Sequence, residues 1–134
     1  MKRVVFDAYA ILAWVWGEPG AEFVAQLLRQ IEAGSLWGGV CTINLGEVYY
    51  RTCREDGQQA AESDLAMLQK LPWEVISASN DLVWAAARLK GQFAISYADA
   101  FALACTQQNG ADLITDDPEL RAADHGVTLR WETD

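Results

Sequence analysis

Four carboxylates in this chain, Asp7, Glu47, Asp99 and Asp117, stand where an ionised acid is either costly or in a position to do chemistry. Asp99 shows the problem most plainly. It lies in Ile95-Ser96-Tyr97-Ala98-Asp99-Ala100-Phe101-Ala102-Leu103-Ala104, the start of an Ala-rich, nearly apolar helix that follows the loop around Gly91-Gln92. A helix apolar on most faces belongs in a core. A buried ionised Asp there needs a positive or hydrogen-bonding partner. The simplest account is local: Ser96 as N-cap with an acid three residues on approaches a capping box. Similar accounts exist for the other acids, since Asn44-Leu45-Gly46-Glu47 also has capping-box spacing and Asp117-Pro118 reads as a cap followed by proline at the first helical position.

The elements that must carry these acids argue for a shared role. Lys2-Arg3-Val4-Val5-Phe6 is a β-branched run that stops at Asp7, a buried strand by its pattern. Helical spacing covers residues 8–16 and is broken by Gly17-Glu18-Pro19-Gly20. A second helix is expected over 20–33 with Pro19 leading it, then a strand over 36–41. A third helix with Asn44 as N-cap runs to about residue 55, a fourth covers 58–71, and a strand follows over 73–77. Ser79 or Asn80 caps a helix to residue 90. After the Asp99 helix, ending near residue 108, come a strand over 112–115, a short helix over 118–123 capped by Asp117, and a last strand over 127–131. Strands alternating with helices imply parallel β-α units and a sheet covered on both faces. In such sheets strand C-termini and helix N-termini share one edge, where ligands bind. Asp7 and Asp117 follow strands, and Glu47 and Asp99 open helices, so all four belong to that edge.

Two carboxylates about 5 Å apart repel by ~3 kcal/mol at an effective dielectric of 20. Four ionised together therefore require protonation or bound divalent cations. Oxygen-only ligands suit Mg²⁺ or Mn²⁺, and two such ions would roughly neutralise the set, activate a water and stabilise the leaving oxygen of a phosphodiester. The lone His125, beside Asp124, reads as a solvated loop residue, and with no second histidine a histidine-pair ribonuclease mechanism is excluded.

Composition limits the alternatives. With 134 residues, 51% of them hydrophobic, one domain spanning 1–134 is expected. No run of eighteen apolar residues and no charged-then-apolar leader is visible, so neither a membrane span nor a signal peptide is expected. Three scattered cysteines, Cys41, Cys53 and Cys105, suit a reducing cytoplasm better than a disulfide framework or a zinc site. Ten basic against nineteen acidic residues, a formal charge of −9, argue against binding nucleic acid by bulk electrostatics and favour a cation site or a basic partner. Trp14, Trp16, Tyr49, Tyr50 and Trp84 read as core aromatics. Arg51, Arg54, Arg88 and Lys90 read as solvated helix-face charges, some able to guide phosphates.

Val4-Val5-Phe6-Asp7-Ala8, Asn44-Leu45-Gly46-Glu47-Val48, Ser96-Tyr97-Ala98-Asp99-Ala100 and Thr115-Asp116-Asp117-Pro118-Glu119 resemble, in order, the four acidic motifs of PIN-domain nucleases. The resemblance spans nearly the whole chain and is greatest to the VapC-type toxins of toxin–antitoxin pairs. It implies a three-layer α/β/α fold with a mainly parallel sheet of about five strands. It also implies a Mg²⁺- or Mn²⁺-dependent endoribonuclease, a cognate antitoxin and a homodimer. By position, Asp7, Glu47, Asp99 and Asp117 become the metal-binding catalytic acids, with Asn44, Ser96 and Thr115 orienting them. Asp116 departs from the small or basic residue common in relatives. Alternation along an extended segment favours Asp117 over Asp116 as the acid facing the metal. A haloacid-dehalogenase-like phosphatase needs an Asp at position 9, which is Tyr. A receiver domain needs an acidic pair in its first loop, which is missing. A PIN-fold binding module without cleavage is the non-enzymatic alternative, and the presence of all four acids weighs against it.

Overall fold

The computed structural model describes residues 1–132; Thr133 and Asp134, the end of the single domain expected over 1–134, lie outside the described residues. The element order is β1 (Lys2–Phe6), α1 (Ala8–Val15), α2 (Ala21–Glu32), β2 (Leu36–Cys41), α3 (Thr42–Asp56), α4 (Gln58–Gln69), β3 (Glu74–Ile76), α5 (Asn80–Gln92), α6 (Tyr97–Gln108), β4 (Asp112–Ile114), α7 (Pro118–Ala122) and β5 (Leu129–Arg130). The five strands form one sheet in the order β3-β2-β1-β4-β5, with every pairing parallel.

The layers follow from the period-2 alternation of β1, the central strand. Val4 and Phe6 enter a core built with α1, α2, α3 and α4, whereas Val5 enters a second core built with α5 and α6. Val4, Val5 and Phe6 are all fully buried, as strands covered on both faces must be. Helices thus sandwich the sheet, as the alternating pattern implies. Gly38 in β2 marks a close approach: a Cβ there would meet Ile31 Cδ1 of α2 at 2.3 Å.

Element order sets the site. From β1 the chain winds outward through β2 and β3, then returns to place β4 and β5 on the other side of β1. The direction of winding reverses between β1 and β4, and a crevice opens at the carboxyl ends of strands flanking such a switch point.

Several boundaries differ from the sequence pattern. Helix α2 starts at Ala21, not at Pro19, because Gly20 takes φ 97° as its N-cap. Helix α3 starts at Thr42 directly after β2, so Asn44 lies inside it and is not its cap; Cys41 occupies that position and makes no side-chain cap bond. Strands β3 and β5 are shorter than expected. Trp84 is 60% and Tyr50 46% exposed, on outer helix faces rather than in the core. His125 is no free loop residue: Val127 N–H donates to Nδ1 at 3.0 Å, which leaves Nε2 to donate to Leu120 O at 2.8 Å.

Candidate acidic functional site

Asp7 follows β1 directly and caps α1. Its Oδ1 accepts from Ala10 N–H at 2.9 Å, while Oδ2 is buried without a hydrogen-bond partner. Only 1% of the residue is exposed. Burial pushes its carboxyl up to about 8; the Asp99 and Asp117 charges add to the rise, while the nearby Thr115 hydroxyl and the Ala10 amide pull the other way. Burial thus favours the protonated form of Asp7 far above the usual carboxylate range.

Asp99 sits in the first turn of α6, behind the N-cap Ser96, whose Oγ accepts from Asp99 N–H at 3.1 Å. This is one half of the capping box. Among the described residues, no backbone amide is found donating to the Asp99 carboxylate, so that carboxylate is not held as a cap. Burial, then the charges of Asp117, Glu47 and Glu119, raise it to about 7, against hydrogen bonding from Ser96. Asp117 caps α7, its Oδ1 accepting from Glu119 N–H at 2.9 Å and Leu120 N–H at 3.3 Å.

Asp99, Asp117 and Glu119 each offer a carboxylate oxygen, all within 4.8 Å of one another, a spacing suited to one cation. Glu119 was not among the acids singled out from sequence. A helix-opening Glu two residues after a capping Asp reads as a partner of the helix dipole, and only its first-turn position beside Asp117 hints at more. Asp7 and Glu47 stand outside this tight group but within its field, because Asp7 feels Asp99 and Asp117, and Asp99 feels Glu47. Glu47 is raised by burial, offset by Arg51, one turn along α3, whose guanidinium approaches it at 3.7 Å.

The polar residues expected to orient the acids act mainly on backbone. Asn44, fully buried, donates from Nδ2 to Ala98 O at 3.1 Å and so ties α3 to the peptide preceding Asp99. Its Oδ1 is buried and unpartnered. Thr115 Oγ accepts from Asp117 N–H at 3.0 Å and fixes the turn from β4 into α7. Asp116 pairs instead with Arg121 Nε, at a partly exposed position.

Two buried acids raised well above the usual carboxylate range stand beside three acids whose carboxylate oxygens lie close enough together that they could hold one cation. Comparison with known proteins agrees. The family model described as "PIN domain" matches residues 4–126, and the chain belongs to the PIN-domain family. No curated protein sequence matches it. Among solved structures it is similar to VapC20 of Mycobacterium tuberculosis, described as a sarcin-ricin loop cleaving toxin, with a TM-score of 0.74, 17% identity, and coverage of 96% of this chain and 98% of that one. It is similar to VapBC2 of Rickettsia felis bound to promoter DNA, with a TM-score of 0.72, 15% identity, and 97% and 99% coverage. It is also similar to DNA-bound VapBC of Salmonella typhimurium, with a TM-score of 0.73, 10% identity, and 97% and 98% coverage. At these identities the likeness is one of fold. Among the described residues no helix is long and apolar enough to cross a membrane.

Proposed function

We propose that this PIN-domain protein is a cytoplasmic, Mg²⁺- or Mn²⁺-dependent endoribonuclease, the toxin of a toxin–antitoxin pair, built as one domain over 1–134. The observation that carries the reading is the convergence of acids at the switch point, with the buried, unpartnered Oδ2 of Asp7 beside the Asp99–Asp117–Glu119 group. Among the described residues no cationic side chain pairs with Asp7, Asp99 or Asp117, and a hard cation with oxygen ligands fits the donor set.

Asp7, Asp99, Asp117 and Glu47 are the metal-holding catalytic acids in this reading, and Glu119 joins them. When bound, Mg²⁺ or Mn²⁺ supplies an activated water and charge stabilisation for the leaving oxygen of an RNA phosphodiester. Asp7 and Asp99 release their protons on binding, with Asp7 held in orientation by the Ala10 amide. Asn44, Ser96 and Thr115 keep the backbone around Asp99 and Asp117 from drifting.

The VapBC relatives are complexes of two protein kinds, which supports a cognate antitoxin as this chain's partner. A basic segment placing an Arg or Lys against Asp7 and Asp99 would supply the charge a metal supplies. Homodimerisation belongs to the same proposal, and exposed Trp84 and Tyr97 offer apolar area for it. The test is cleavage of RNA by pure protein. Activity with Mn²⁺ that EDTA removes is expected. RNA left intact in Mn²⁺ by protein shown to be folded would refute the reading.

A further inference from the structure

Beside the acids lies a cleft of about 250 Å³ lined by Tyr9, Trp16, Glu18 and Arg51, among others. Trp16 and Arg51 also wall a neighbouring hollow of about 240 Å³ that reaches Arg54. Two of its lining residues, Tyr9 and Arg51, adjoin the acids. Tyr9 stands two residues beyond Asp7 and feels the charges of Asp116, Asp117 and Asp7, while Arg51 approaches Glu47 at 3.7 Å.

We infer that this cleft is the subsite for the nucleotide next to the scissile bond of single-stranded RNA, with Tyr9 stacking on the base and Arg51, followed by Arg54, taking the adjoining phosphates. The inference rests on the nuclease reading above and adds where its substrate lies.

Three features carry it. Tyr9 is 38% exposed, yet its ring is held by an edge contact to buried Trp131 at 5.5 Å, so it presents a fixed aromatic surface. Base stacking on such a surface tolerates any sequence. Arg51 lies 5.7 Å over the Trp16 ring with its side chain 46% exposed, and Arg54 lies 4.9 Å over Tyr50. These aromatic floors hold two cations one helical turn apart on α3, along a line leading away from Glu47. On a chain of formal charge −9, an RNA backbone approaching four acids needs such local cations. Glu18 also lines the cleft and repels phosphate, which confines the backbone to the Arg51 side.

The experiment measures binding without cleavage: fluorescence anisotropy of a mixed-sequence single-stranded RNA 12-mer on Asp99→Asn protein in Mg²⁺, over a series of salt concentrations. Adding Arg51→Ala should weaken binding about tenfold and flatten the plot of log affinity against log salt by about 0.7, the loss of one phosphate contact to a single strand. Adding Tyr9→Ala should weaken it by a similar factor and leave the slope unchanged, because stacking releases no counterions. Arg54→Ala, farther from the acids, repeats the slope test if Arg51→Ala misfolds. Unchanged affinity and slope in the arginine variants overturn the inference. So does a loss confined to antitoxin binding, which would make the cleft a protein groove. Should wild-type protein fail to cleave RNA while these binding losses persist, the nuclease reading falls, and with it the place beside a scissile bond, while the cleft's contacts to single-stranded RNA stand.

Discussion

Acids at the switch-point edge and acids elsewhere on this molecule live under opposite conditions. Away from the edge, Glu22 meets Arg29 at 2.7 Å and Asp112 meets Arg130 at 4.0 Å, all with substantial solvent exposure. Such pairs add at most ~1 kcal/mol and serve solubility. At the edge, Asp7 and Asp99 are buried and raised to about 8 and about 7, and among the described residues no cationic side chain pairs with either. Burying neighbouring acids without a partner opposes folding, and its concentration at one edge supports the proposed ligand site there.

The contrast is broken most severely by activity. Asp7→Asn or Asp99→Asn should lower metal-dependent RNA cleavage by more than about a hundredfold with the fold intact by circular dichroism, since each removes a charge the cation needs. Full activity in either variant would leave the edge without its assigned role.

A second test uses pH. The folded protein holds protons on Asp7 and Asp99 that the unfolded chain, near its ordinary 3.8, has already lost. Stability without metal should therefore fall by several kcal/mol as pH rises from about 4 to about 8, and level off above. Urea titrations in EDTA across that range measure it. Stability rising over the same window would mean that the two acids are paired after all.

The smallest effect belongs to the other region. Glu22→Gln should change stability by no more than about 0.5 kcal/mol at any pH, with no response to metal, since its ion pair is exposed. A larger change in the same titrations would erase the distinction between edge and surface acids.

What the sequence made visible, and what it hid, divides along the same line. Asp7, Glu47, Asp99 and Asp117 could be placed at one edge because parallel β-α winding leaves strand ends and helix starts no other location. Glu119 escaped because a first-turn Glu has a sufficient local explanation in the helix dipole. Asn44 was assigned to a cap because Asn favours that position; the absence of any linker between β2 and α3 moved it into the helix, where it bonds across to Ala98. Trp84 and Tyr50 looked like core because aromatics on helices usually are, and helical period alone does not say which face a partner covers. His125 looked solvated because its ties to Leu120 and Val127 depend on a loop geometry no periodicity encodes.

A divalent cation should remove the cost at which the edge acids are held together. Thermal melts of wild type and Asp99→Asn, each in EDTA and in Mn²⁺, test it without any knowledge of substrate. In EDTA the variant should melt above wild type, by an amount corresponding to ~1–3 kcal/mol, because a neutral amide avoids the cost of burying Asp99 either as a charge or with a proton taken up. Mn²⁺ should stabilise wild type by about 2.7 kcal/mol at a hundred times its dissociation constant, and the variant much less. A variant that melts below wild type in EDTA and responds undiminished to Mn²⁺ would contradict the account, and would make Asp99 a structural residue of the α6 N-terminus.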